Sequence, residues 1–231
     1  MAENLKLQYC TPGLGPGEAI LLEECENELF ACLLDSWGEC HATLLNLAIF
    51  YGKTGKQERA VSFVKHLLEL SDEPEEQARY LLMLAQLMEE IEDYDSSKVY
   101  YEQALELELY DEITLYFMHN NFGYLLNQMG FFEEARPHLE RAISIDPERH
   151  NGYKNLAMAC EGLGRLEEAV ECYITATQSE PYDARSLVLL ENLLNRHPEL
   201  FVKAPHLQSR LDRCKSQVKI AQAEIPEVTI H

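Results

Sequence analysis

Apolar residues recur at helical spacing through most of the chain. His119, Phe122, Gly123 and Leu126 follow one another at i, i+3, i+4 and i+7, so they line one stripe of a helix. The stripe stops at Gly130, a residue suited to the left-handed turn that closes a helix C-terminus. Ala135, Leu139 and Ala142 form the stripe of a second helix, and Pro147 ends it because proline has no N–H to continue the ladder. Gly123 and Ala135 are small enough to let the two axes approach closely. The pattern predicts a helical hairpin.

The hairpin recurs. Laying residues 116–149 over residues 150–183, without a gap and at a spacing of 34, matches Asn121 with Asn155, Gly130 with Gly164, Glu133 and Glu134 with Glu167 and Glu168, Ala135 with Ala169, Ala142 with Ala176 and Pro147 with Pro181. A fixed period of this size is the mark of a repeat architecture. The set Tyr153, Leu156, Ala157, Gly164, Ala169, Tyr173, Ala176 and Pro181 resembles the tetratricopeptide repeat nearly throughout. Two weaker copies lie upstream. One holds Leu81, Leu84, Ala85, Met88, Tyr101 and Ala104, the other Leu44, Leu47, Ala48, Tyr51, Gly55, Ala60, Val64 and Leu67.

The residue that opens each second helix moves from Ala60 to Ser97 to Ala135, steps of 37 and 38 instead of 34. The surplus is close to one turn of about 3.6 residues, so it can lengthen a helix without rotating its apolar stripe. The helices beginning near Pro74 and near Asp111 are therefore expected to be a turn longer than the one containing Tyr153, with Asp72 as cap and Pro74 in the first turn of the former.

The resemblance implies an all-α fold, a right-handed superhelical solenoid of antiparallel helix pairs, over roughly residues 41 to 196. The expected divisions are an N-terminal extension (1–17), an N-terminal capping helix (18–40), four repeats (41–74, 78–111, 116–149 and 150–183), a C-terminal half-repeat with a capping helix (184–223), and a tail (224–231). The stripes Ile20, Leu21, Cys25, Leu29, Cys32 and Leu33 at one end, and Leu187, Leu190 and Leu194 with Leu207, Leu211, Cys214 and Val218 at the other, suit elements that close the ends of a stack.

Composition narrows the function. With 40 Asp and Glu against 19 Lys and Arg, a formal charge of −21 repels phosphate backbones and anionic lipid, so no nucleic-acid partner is expected. No apolar run approaches the ~18 residues of a membrane span, so no membrane insertion is expected either. The start MAENLKLQYC lacks the charged and apolar regions of a secretory signal. Seven cysteines without a CxxC pair read as reduced thiols, and a cytoplasmic location is the expectation.

Candidate chemistry is sparse. The Gly13–Gly17 run lacks the strand before it and the Lys-Ser/Thr after it that a phosphate loop needs, so it reads as a breaker. Cys25, Cys32, Cys40 and His41 lack the doubled short spacing of a metal site. His119 stands where the family has a large aromatic and should pack, whereas His138 is expected to be solvated. The Glu133-Glu134 and Glu167-Glu168 pairs open second helices, where the helix dipole favours negative charge. No catalytic constellation, metal or cofactor is expected.

By resemblance, ligand peptides lie in the concave groove lined by the first helices. The residues there that face away from the packing stripes are Phe117, Asn120, Tyr124, Asn127 and Gln128 in the third repeat, Asn151, Lys154, Met158 and Glu161 in the fourth, and Arg185, Val188, Asn192 and Arg196 in the half-unit. Asn46, Asn121 and Asn155 are set aside, since the family commonly has Asn there for packing between repeats. Tyr124, Lys154 and Arg185 fall on successive first helices, so a bound segment is expected to carry an acidic residue. Glu171, on an outer helix, is expected to be a bystander. The family's carboxylate clamp for chaperone C-termini requires Lys and Asn on one helix, where this chain offers Leu45 and Ile49, Leu82 and Gln86, or Asn120 and Tyr124. That excludes a heat-shock co-chaperone.

Charge is also uneven. Residues 69–112 contain 15 acids against Arg79 and Lys98, while residues 196–219 contain six cations against Glu199 and Asp212, an asymmetry that could draw copies into a homo-oligomer or steer a basic partner to the second repeat. The expected function is a non-enzymatic protein-interaction scaffold or adaptor that binds a peptide segment of a protein partner. The alternatives are a dedicated chaperone for a secreted or assembling protein and an accessory repeat domain of an enzyme or regulatory system.

Overall fold

The computed structural model describes residues 40–223, with side chains from Leu44 onward. The expected N-terminal cap, the glycine run, Cys25, Cys32, the side chains of Cys40 and His41, and the tail lie outside the described residues. Within them the chain forms α1 (Cys40–Lys53), α2 (Gln57–Leu70), α3 (Pro74–Glu90), α4 (Tyr94–Leu105), α5 (Glu112–Gln128), α6 (Phe132–Ile145), α7 (His150–Gly162), α8 (Leu166–Ser179), α9 (Arg185–Arg196), α10 (Glu199–Lys203) and α11 (Leu207–Ala223). No strand occurs among the described residues. Helices α1 to α8 pair as four consecutive hairpins, and α9 packs on α8 as the first helix of an unfinished fifth.

Helices α3 and α5 each have 17 residues against 13 in α7, so the surplus residues do extend the helices by a turn. The start of α3 differs from expectation. Pro74 holds the first turn, but the N-cap is Glu73 and makes no side-chain capping bond, while Asp72 is exposed. Ser71 supplies the anchor: its hydroxyl donates to Glu76 at 2.9 Å and its carbonyl accepts from Gln77 Nε2 at 2.6 Å. At α5, Asp111 caps as an aspartate should, accepting from the Thr114 N–H at 3.0 Å. The two added turns are joined, because Glu75 Oε1 accepts the N–H groups of Tyr110 (2.7 Å) and Asp111 (3.1 Å).

Side chains of neighbouring hairpins merge into three buried clusters. Where Gly123 of α5 crosses α6, an added Cβ would lie 2.5 Å from Leu139 Cγ, so only glycine permits this approach. The turns inside the hairpins need a left-handed residue, and Gly55, Gly130 and Gly164 supply it with φ of 77°, 80° and 71°. In the second repeat the same place is held by Glu92 at φ 61°, which is strained for a residue with a Cβ.

The C-terminal closure contains one element the sequence pattern did not show. The short α10 follows the His197-Pro198 break and buries Leu200. Helix α11 begins at Leu207 and brings Leu207, Leu211, Cys214 and Val218 against Leu187, Leu190 and Leu194.

Candidate functional site

The first helices of the hairpins, α3, α5 and α7, together with α9, present the inner face. Two expected groove residues do not open onto it. Asn120 and Asn127, 6% and 7% exposed, are buried between the third and fourth repeats. Asn155 Nδ2 donates to Asn120 Oδ1 at 3.0 Å, and Asn127 Nδ2 donates to the Asn155 carbonyl at 2.8 Å. The reason is physical: a buried amide must find partners, and facing helices bring these three together. Asn120 also donates to Asn121 at 2.9 Å. The two asparagines stand seven apart, one stripe of α5, which is the signal that could have assigned them to the repeat interface. Asn46, expected to pack, is exposed.

The other candidates are at least partly exposed. Phe117 is 39% exposed, and Arg149 lies over both its ring (5.1 Å) and that of Tyr116 (5.0 Å), a contact the sequence did not suggest. Tyr124 is half-buried and its hydroxyl accepts from Gln128 Nε2 at 2.6 Å. Met158 is half-buried at the margin of the C-terminal cluster. On α9, Val188 is half exposed and Asn192 is exposed.

Lys154, also half-buried, donates to Asn151 Oδ1 at 2.8 Å. Burial, together with the neighbouring Arg185 cation, holds its ammonium below the usual lysine range. Arg185 grips Asp183 with two nitrogens, Nε at 2.8 Å and Nη2 at 2.7 Å, and His150 Nε2 lies 3.0 Å from the same carboxylate. The guanidinium therefore keeps Asp183 ionised far below the usual carboxylate range. Tyr124 is within electrostatic reach of Arg185, so Tyr124, Lys154 and Arg185 form one neighbourhood across three helices.

The outer face corrects two expectations. His138 is not solvated: its Nδ1 lies 3.1 Å from that of His119, the rings stack at 5.3 Å, and Phe122 lies 4.7 Å away. Burial pushes His119 down to about 4 and lowers His138 as well, so both pack as neutral rings. Nor is Glu171 a bystander, since both of its oxygens accept from Arg210 of α11. The glutamates that open the second helices link repeats in the same manner, Glu134 to Lys98 at 3.3 Å and Glu168 to Arg136 at 3.0 Å.

Among the described residues no group of three or more His, Cys, Asp or Glu is placed to hold a metal ion, and no helix is long and apolar enough to cross a membrane. Cys160, Cys172 and Cys214 are unpaired thiols.

The tetratricopeptide repeat profile matches residues 78–110, 118–149 and 151–183. No curated protein matches the sequence. Among solved structures, MamA from Desulfovibrio magneticus RS-1, residue 41 to its end, is 16% identical, with a TM-score of 0.62 over 83% of this chain and 100% of that one. A double mutant titled MamA RS-1 is 18% identical with the same TM-score of 0.62, over 78% of this chain and 97% of that one. YrrB, titled a TPR protein with an unusual peptide-binding site, is 19% identical with a TM-score of 0.54, over 79% of this chain and 86% of that one. These likenesses establish the fold. The first hairpin, α1 and α2, lies outside the profile matches but has the same two-helix form.

Proposed function

We propose that this chain, three of whose hairpins match the tetratricopeptide repeat, is a non-enzymatic scaffold or adaptor, located in the cytoplasm, that holds a peptide segment of a partner protein along the inner face of α5, α7 and α9. The observation that carries the reading is the division of labour on those helices. Asn120, Asn127 and Asn155 bond to one another between the repeats, while Phe117, Tyr124, Lys154, Met158, Val188 and Asn192 are at least partly accessible. Amide and cationic side chains there can bond an extended backbone or its side chains, and the aromatic and aliphatic ones supply contact area. That YrrB is described as having a peptide-binding site supports the class of ligand without identifying it.

The test is a pull-down from the native source with identification of the partner, followed by substitution. Tyr124→Ala is expected to weaken the complex by more than ~1 kcal/mol, as a partly exposed aromatic anchor does, with an unchanged melting temperature. Gln178→Lys, at an exposed place on α8, is the control and should leave binding intact. A complex insensitive to Tyr124→Ala but broken by Gln178→Lys would move the site to the outer face.

A further inference from the structure

We infer that the segment held in the groove carries a side-chain carboxylate that seats on Lys154, between an apolar residue against α5 and another against α9; this rests on the groove reading above and specifies its ligand. Three other half-buried cations meet carboxylates. Lys98 reaches Glu134, Arg136 reaches Glu140 and Glu168, and Arg210 reaches Glu171. Lys154 reaches an amide oxygen instead. In a chain with twice as many acids as cations, a partly desolvated ammonium without a carboxylate is costly unless an outside anion completes it. The carboxylate whose charge acts on Lys154, Asp183, is already engaged by Arg185 and His150.

The local charge selects a monoanion. Lys154 and Arg185 contribute two positive charges and Asp183 removes one, so one carboxylate brings the site to neutrality. A phosphate of nearly two negative charges would overshoot within a strongly acidic protein. Remote acids matter little, being screened beyond about 8 Å at physiological salt.

The flanks follow from spacing. Adjacent packed helices lie roughly 8–10 Å apart, and an extended chain rises about 3.3 Å per residue. A carboxylate over α7 therefore places the residues two or three positions away over Tyr124 and Phe117 on one side and over Val188 on the other, all partly exposed.

The probe is a phage-displayed library of random dodecapeptides panned on the full chain, with selected peptides then synthesised with blocked termini. The expected result is enrichment of Asp or Glu with an aromatic or aliphatic residue two or three positions to each side. Replacing that acid by Ala, or Lys154 by Gln, should weaken binding roughly tenfold or more, as loss of a charge-assisted contact does. Lys154→Arg should retain binding, and panning on Lys154→Glu should select Lys or Arg in place of the acid. Peptides that need a terminal carboxylate or a phosphate instead overturn the inference. If they lose affinity with Tyr124→Ala but not with Lys154→Gln, the inference fails and the groove reading stands. If neither substitution matters, or no peptide is selected by the folded chain, both fail. Melting temperatures of the variants separate lost contacts from lost folding.

Discussion

The second and fourth repeats share one contact in two settings. In each, the tyrosine of the second helix donates its hydroxyl to a glutamate twelve residues upstream on the first, Tyr101 to Glu89 at 2.7 Å and Tyr173 to Glu161 at 3.2 Å. In the fourth repeat Arg196 of α9 reaches over to Glu161. Among the described residues no such cation meets Glu89, and burial raises its carboxyl above the usual carboxylate range against the opposing bond from Tyr101. One hydrogen-bond design is thus neutralised at one end of the stack and left electrostatically open at the other.

The difference extends to whole surfaces. Four of the six cations between residues 196 and 219 are engaged within the chain, Arg196 with Glu161, Lys203 with Glu167, Arg210 with Glu171 and Lys215 with Glu191. The basic C-terminal stretch balances the fourth repeat and α9, which leaves little of it to attract the acidic end of a second copy. Among the described residues the second repeat has no comparable set of ion pairs, its Glu102 meeting Lys98 of the same helix. A basic partner steered by charge is expected at the α3–α4 side.

The sharpest way to break the comparison is to remove the closure on which the balanced end depends. A chain ending after His197 loses Leu200, Leu207, Leu211, Cys214 and Val218 from the C-terminal cluster. At roughly 1.5–3 kcal/mol per fully buried apolar side chain, this is comparable with the stability of a whole domain. Aggregation or a large fall in melting temperature is expected; an equally stable monomer would show that α11 is no cap.

A smaller effect tests the paired glutamates themselves. Glu161→Gln is expected to lower stability by up to about 1 kcal/mol through the loss of Arg196, while Glu89→Gln is expected to be neutral or stabilising at pH 7. The sign follows from proton linkage: the folded Glu89 carboxyl holds its proton more readily than the unfolded one, so its contribution is full below the unfolded pKa, is lost as pH rises through the raised range and is flat above it. Gln128 follows Leu126 on α5 as Arg196 follows Leu194 on α9, so Gln128→Arg should pair with Glu89 and flatten that pH dependence. Urea denaturation between pH 4 and pH 8 measures both, and equal responses of the two glutamate variants would erase the distinction between the repeats.

The smallest effect concerns the backbone of the second repeat. Glu92→Gly relieves a left-handed conformation costing about 1–2 kcal/mol, set against roughly 0.5–1 kcal/mol of added chain entropy for glycine. A gain of several tenths of a kcal/mol, read as a higher urea midpoint, is expected, whereas Gly130→Glu at the same place in the third repeat should lose stability.

Local pattern determined the hairpins, their order and the lengthened α3 and α5, because stripe spacing and breakers act within one or two turns of the residues that encode them. It also put Tyr124, Lys154 and Arg185 on successive first helices. What the tertiary structure alone decided were the partners across the stack. The burial of Asn120 and Asn127, the pairing of His138 with His119 and the grip of Arg210 on Glu171 all join residues of different helices. Which side of a helix meets its neighbour, and at what depth, depends on how closely the axes approach. At Gly123 that is set by one missing methyl group against Leu139, a distance no pattern within a single helix contains.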